Sequence, residues 1–275
     1  MMVSTGLRRT AGSILPGKAG TKAVIGLLRK VYEPALWFAG LLILWEVLVW
    51  VFQVRSFILP APSDFLVKIF ENYDRLLLHG TITTKLIIYG FIAGALPGVI
   101  LGYLIANYRT CERLLYPLVI FVQGLPKITL APLFLVWFGF TEFPKILLTS
   151  LITFFPVLVD SVTGFKSIDY RHYYLSRSMG ASWRQTVQFF QLPSAAPFIF
   201  SGFKITIVIA VTVVIVVEWL NSNTGLGYLI LRAMDSNDTP LIFSILFVAS
   251  AIGVFLNYFI LFLERLFLPW RRERH

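Results

Sequence analysis

Leu86-Ile-Ile-Tyr-Gly90-Phe-Ile-Ala-Gly94-Ala-Leu-Pro97-Gly98-Val-Ile-Leu-Gly102-Tyr-Leu-Ile-Ala106 runs from end to end without a charged side chain. About 20 apolar residues in α-helix cross the hydrocarbon core of a bilayer, so this stretch reads as a membrane span. Its glycines recur every fourth residue, at 90, 94, 98 and 102. That step keeps them on nearly one helical face, where a second helix can approach closely. Tight helix packing is therefore preferred over a role lining a pathway. Pro97 removes a backbone donor in mid-run and predicts a kink.

Outward from this stretch, comparable runs occur at about 35–54, 114–138, 146–165, 199–220 and 241–263. They carry few charges: Glu46, Lys127, Asp160, Lys204 and Glu218. Composition agrees, with 57% hydrophobic and 14% charged residues against about 25% charged in an ordinary soluble domain. The predicted fold class is an all-α membrane protein with six transmembrane helices. Residues 1–34 bear Arg8, Arg9, Lys18, Lys22, Arg29 and Lys30, which resembles the start of a signal peptide. The apolar run that follows is too long and lacks a clear cleavage site, so it reads as an uncleaved first span.

The net charge of +10 orients the chain rather than marking a nucleic-acid binder, because cytoplasmic segments retain Lys and Arg. With both termini in the cytoplasm, that side holds the N-terminal cluster, Arg109, Arg113, Lys166, Arg171, Arg177, Arg184, Lys204 and the basic end from Arg265 to Arg274. The external side holds only Arg55, Lys68, Arg75, Lys145 and Arg232. The chain divides into a basic cytoplasmic segment 1–34, a transmembrane domain 35–268 and a cytoplasmic tail 269–275. Between the first two spans, Leu59-Pro-Ala-Pro-Ser-Asp64 is a turn into an amphipathic helix at the outer interface, with Ser63 or Asp64 as cap.

Little points to chemistry. Cys111 is the single cysteine, and His79, His172 and His275 are scattered, which reads as lone surface histidines with no metal cluster. Gly225-Leu-Gly227 is not followed by a third glycine and no Gly-x4-Gly-Lys-Ser/Thr occurs, so the chain has no phosphate cradle and holds no cofactor of its own. The reading is a non-enzymatic membrane protein.

Three features point to transport. Gln123-Gly-Leu-Pro126-Lys127-Ile-Thr-Leu-Ala-Pro132 predicts a broken span. Backbone freed at membrane depth needs protein or a water-filled cavity around it, so Gln123, Pro126 and Lys127 are candidate pathway residues. The alternative is that Pro126 marks a boundary with Lys127 at the interface. Glu218 is a candidate gate residue near the outer mouth, or else a carboxylate that structures the 220–240 loop; both readings stay open. Asp160 and Glu46 are expected to tie helices together or face the inner interface.

The loop 164–197 is long for a helix connection and amphipathic, with Tyr173, Tyr174, Leu175, Met179, Trp183, Val187, Phe189 and Phe190 among polar residues. Asp169 caps a first short helix, Gly180 ends it, and Ser182 with Gln185 forms a capping box for a second. A docking partner would cover this surface; the membrane surface is the weaker alternative.

Here the chain resembles a known family. Tyr174-Leu-Ser-Arg-Ser-Met-Gly180, nine residues, then Phe190-Gln-Leu192-Pro193 is similar to the EAA loop of binding-protein-dependent ABC importer permeases. Gly180 and Leu192-Pro193 match at the family's spacing. Tyr174 stands for the family's Glu, Leu175 and Ser176 for its alanines, and Phe190 for its Ile, so docking here is expected to be more aromatic. Leu130-Ala-Pro-Leu-Phe-Leu-Val-Trp-Phe-Gly139 and Glu218-Trp-Leu-Asn-Ser-Asn-Thr-Gly-Leu-Gly-Tyr-Leu229 resemble the nitrate, sulfonate, taurine, thiamine-precursor and riboflavin branch.

The resemblance implies an inner-membrane permease, paired as a homodimer, with two cytoplasmic ATPase subunits that hold ATP and Mg, and an external solute-binding protein. It also implies that Tyr173, Tyr174, Leu175, Ser176, Met179, Gly180, Ala181, Ser182 and Trp183 form the ATPase dock, on coupling helices. The cargo would be an organic anion, sulfonate, nitrate or vitamin precursor, carried by alternating access. A competing reading is a secondary transporter in which Asp160, Glu218 or Lys204 carries coupled protons.

Overall fold

A computed structural model describes residues 33, 36–168, 170–221 and 223–269. Among them the structure is helical throughout, with no strand. The expected cap Asp169, most of the basic segment 1–34 and nearly all of the tail 269–275 lie outside the described residues. The chain divides into two compact units, 1–54 with 61–63, and 55–60 with 64–275. In the first, α1 (Leu36–Val51) is a short apolar helix. Its Glu46 carboxylate accepts from the Ser63 N–H at 3.0 Å and the Ser63 hydroxyl at 2.7 Å, so a charge inside an apolar run is matched to a helix start.

The second unit carries α2 (Pro62–Glu71) from Asp64 onward, then α3 (Tyr73–Asn107), α4 (Arg109–Gln123), a 3₁₀ turn Lys127–Leu130 and α5 (Ala131–Phe138). There follow α6 (Glu142–Lys166), α7 (Tyr170–Ser178), α8 (Trp183–Thr186), a π-helical segment Val187–Gln191, α9 (Leu192–Asn221), α10 (Leu226–Asp235) and α11 (Thr239–Phe267). Four elements are long and apolar enough to cross a membrane: α3, α6, the Trp183–Leu220 run and α11. A fifth arises if α4 and 127–138, bent by 81°, form one crossing.

The core is built where α3, α6, α9 and α11 meet, around Leu86, Ile87, Val157, Val214 and Leu256. The α3 glycine stripe explains why α6 lies so close. A Cβ on Gly98 would sit 2.9 Å from the Phe154 carbonyl oxygen, and one on Gly102 2.6 Å from Ser161 Cβ. Gly90 and Gly94 face Thr149 and Thr153 of α6 in the same way. α3 runs through Pro97 as one element and starts at Tyr73, thirteen residues before the apolar run. The opposite surfaces stay greasy: Phe255, Tyr258 and Phe262 of α11 are exposed on one face. Such a continuous apolar exterior suits lipid, not water.

Candidate functional site

α9 brings Glu218 to its last turn on the same buried face as Val214 and Val217, and its side chain is 0% exposed. A buried carboxylate is costly without hydrogen bonds. The Thr83 hydroxyl of α3 donates toward both carboxylate oxygens, at 2.9 and 3.0 Å, and the Gly227 N–H donates at 3.0 Å. Thr83 Oγ1 in turn accepts from the Leu226 N–H at 2.8 Å, and the Gly225 N–H donates to His79 Nδ1 at 2.9 Å. Three of the orphan amides that open α10, those of Gly225, Leu226 and Gly227, thus have partners, and a carboxylate sits at the positive end of that helix. Gly225 has φ +100°, and a Cβ there or on Gly227 would run into Glu218, so the turn needs both glycines.

Lys145 also acts electrostatically on Glu218. It was expected in an external loop, but it lies in the first turn of α6 and is buried. His79, expected as a lone surface histidine, is half-buried, bonded to Gly225 and set against the Tyr228 ring. Both differences have one cause: α3 and α6 extend past their apolar runs, the α3 extension packing on α10 and that of α6 lying against α9. The geometry fits a carboxylate that organises the 220–240 segment.

The predicted break in the third span holds Gln123, Pro126 and Lys127 together. α4 ends at Gln123, and Pro126 precedes the 3₁₀ turn that opens with Lys127. Lys127 Nζ donates to the Gln123 carbonyl at 2.7 Å, closing the gap where the helical ladder stops, and lies 4.7 Å from the Phe155 ring centroid. Beside it is a hollow of about 410 Å³ lined by Lys127, Ile128, Ile152, Ile209, Thr212 and Val213. Glu218 does not line this hollow, so the four candidate pathway residues fall into two neighbourhoods.

The loop after α6 forms the helical pair that its caps predict. Gly180 has φ +71°, which glycine adopts without the strain a side chain would bring, and the Ala181 N–H closes back on the Ser176 carbonyl. Ser182 and Gln185 form both halves of the capping box. Ser176 is buried, with the Thr186 hydroxyl 3.4 Å from its Oγ. A small residue is needed there because α7 packs on α8. Tyr174, Leu175, Met179 and Trp183 are exposed, Met179 at 74% and Trp183 at 60%, while Ala181 is half-buried. Tyr173 belongs to α7, but its side chain lies outside what is described.

This surface is joined to the crossing helices. The Trp183 ring meets Tyr103 of α3, which meets Phe165 of α6. Gln191 Nε2 donates to Asn107 Oδ1 at 2.9 Å, from the π-helical segment to the end of α3. π segments often mark functional positions. Sequence reasoning missed Thr83, whose hydroxyl looks ordinary in sequence, and Glu264, which lies just beyond its apolar run. Lys204 Nζ is 2.8 Å from Glu264 Oε2, an ion pair joining α9 to α11. Asp160 packs against Gly202, also between helices.

Residues 98–273 match the sequence profile of the family described as binding-protein-dependent transport system inner membrane component. The formylaminopyrimidine transport permease protein ThiX of Halalkalibacterium halodurans is 33% identical, across 88% of this chain and 97% of that protein. A putative aliphatic sulfonates transport permease protein of Bacillus subtilis is 31% identical, across 86% and 89%. A riboflavin transport system permease protein of Chloroflexus aurantiacus is 32% identical, across 84% and 87%. In fold the chain is similar to the inward-facing MetNI methionine ABC transporter, with a TM-score of 0.57 and 19% identity over 71% of this chain and 95% of that one.

Proposed function

The chain belongs to the binding-protein-dependent transport system inner membrane components, and from that premise we propose that two copies enclose an alternating-access pathway for a small organic solute. It is a multi-pass transport subunit of the inner membrane and not an enzyme. In this reading the crossings number six, with α1 the first and both termini in the cytoplasm. An external binding protein delivers the solute, and two ATPase subunits supply ATP and Mg. The relatives carry names for formylaminopyrimidine, aliphatic sulfonate and riboflavin transport, which supports the reading of a compact organic cargo.

One observation carries the docking assignment. Tyr174, Leu175, Met179 and Trp183 leave an apolar surface exposed on a capped helical pair, and the end of α3 is touched by the Trp183 ring of that pair and hydrogen-bonded by Gln191 of the segment after it. An ATPase gripping the pair can move the crossings, because ATP binding biases the conformational equilibrium only through contacts that differ between the two states. In proteoliposomes with the ATPase and binding protein, Gly180→Pro and Met179→Asp are expected to leave membrane insertion intact and to uncouple hydrolysis from uptake. Normal coupling in both variants would refute the docking assignment. ATP-independent uptake by the chain alone would favour the secondary-transporter alternative.

A further inference from the structure

The hollow beside the broken span holds a charge that no carboxylate among the described residues balances. α4 advances about 22 Å over its fifteen residues at 1.5 Å each, so the break after Gln123 comes short of the roughly 30 Å core thickness. The other lysines near membrane depth are accounted for. Lys204 is paired with Glu264, Lys145 interacts with Glu218, and Lys85 is exposed at the edge of its apolar run, where its stem can reach the interface. Lys127 has no carboxylate partner among the described residues. Its ammonium has three donors; its partners are the Gln123 carbonyl and the Phe155 ring face.

A cation within a span is costly, and one kept there without a counter-ion points to function. The hollow beside it is of a size that takes a small organic molecule. Its lining is one amine, the exposed Thr212 hydroxyl and four branched apolar side chains. Apolar walls with a few placed polar groups are the usual make-up of a ligand site.

We propose that this hollow is an anion subsite of the translocation pathway, where Lys127 Nζ neutralises an anionic oxygen of the solute and Thr212 with Ile128, Ile152 and Ile209 holds its less polar body. The subsite rests on the pathway reading above and narrows it to solutes carrying a negative charge. Every such solute passing the break meets one fixed cation. The α4–α5 bend keeps that cation in place, since the Lys127–Gln123 bond spans it.

The test needs no knowledge of the solute. With the only native cysteine removed by Cys111→Ala, Thr212→Cys is introduced and the full transporter complex is placed in vesicles. Its labelling is timed with an anionic sulfonatoethyl methanethiosulfonate and its cationic trimethylammonium counterpart, each corrected for intrinsic rate. The anionic reagent is expected to win by about tenfold, within the range a focused local field provides. Adding Lys127→Gln should abolish that preference, and Lys127→Arg should keep it. Labelling by both reagents without preference, or a preference that survives Lys127→Gln, would overturn the anion subsite alone. Labelling by neither reagent, from either side and with or without ATP, would overturn the pathway reading as well.

Discussion

Replacing Thr83 with valine is the sharpest probe of the buried carboxylate, because the two side chains have nearly the same volume and only the hydroxyl is lost. In the structure that hydroxyl does two jobs: it donates to Glu218 at 2.9–3.0 Å and accepts from the Leu226 N–H at 2.8 Å. A buried amide left without an acceptor costs about 1–3 kcal/mol, and a hydrogen bond to a charged group contributes about 1.5–3 kcal/mol. Glu218 keeps the Gly227 N–H, so part of the loss is recovered, and about 3 kcal/mol of local stability should go. At about 1.4 kcal/mol per decade that is close to a hundredfold. Hydrogen exchange at residues 225–229, followed by mass spectrometry on the detergent-purified transporter, should therefore quicken about a hundredfold in Thr83→Val, provided the segment exchanges by local opening. Thr83→Ser should stay within about threefold of the parent, because its hydroxyl can make the same bonds. Exchange in Thr83→Val within threefold of the parent would refute the idea that this network holds the start of α10.

Gly98→Ala should lower the thermal midpoint of the purified protein, because its Cβ lands 2.9 Å from the Phe154 carbonyl. Gly40→Ala in α1, where nothing lies within 4 Å, should be neutral or stabilising by up to about 1 kcal/mol. Equal midpoints for the two would count against α3–α6 contact through the stripe. Lys204→Met alone should destabilise by up to about 3 kcal/mol by taking the ion-pair partner from the buried Glu264 carboxylate, while Lys204→Met with Glu264→Met should recover most of that loss. Thermal unfolding of the single and double variants checks this, and a double variant no better than the single would remove the α9–α11 pair as the cause.

The long apolar helices and the capped helical pair after α6 were legible for local reasons. Run length alone marks 86–106 as a span, and Gly180, Ser182 and Gln185 carry their capping chemistry in their identity. Pro126 announces a break because a missing donor has the same consequence in any context. Partnerships at long range were not legible. Thr83 and Glu218 are 135 residues apart, and nothing in a threonine's neighbours says that its hydroxyl will meet a carboxylate. Lys145 looked like a loop charge for the same reason: apolar run length locates the bilayer-spanning part of a helix and is blind to polar turns that continue it.

Sequence by itself determined what is written in side-chain type and spacing: a membrane-spanning helical chain, a capped amphipathic helical pair and a broken span with a lysine in it. Tertiary structure alone decided which charges are balanced. Lys204 finds Glu264 and Glu218 finds Thr83 and the α10 amides, whereas Lys127 is left facing a hollow. The physical reason is that the cost of a charge depends on what surrounds it, and in a helical bundle those surroundings come from distant parts of the chain.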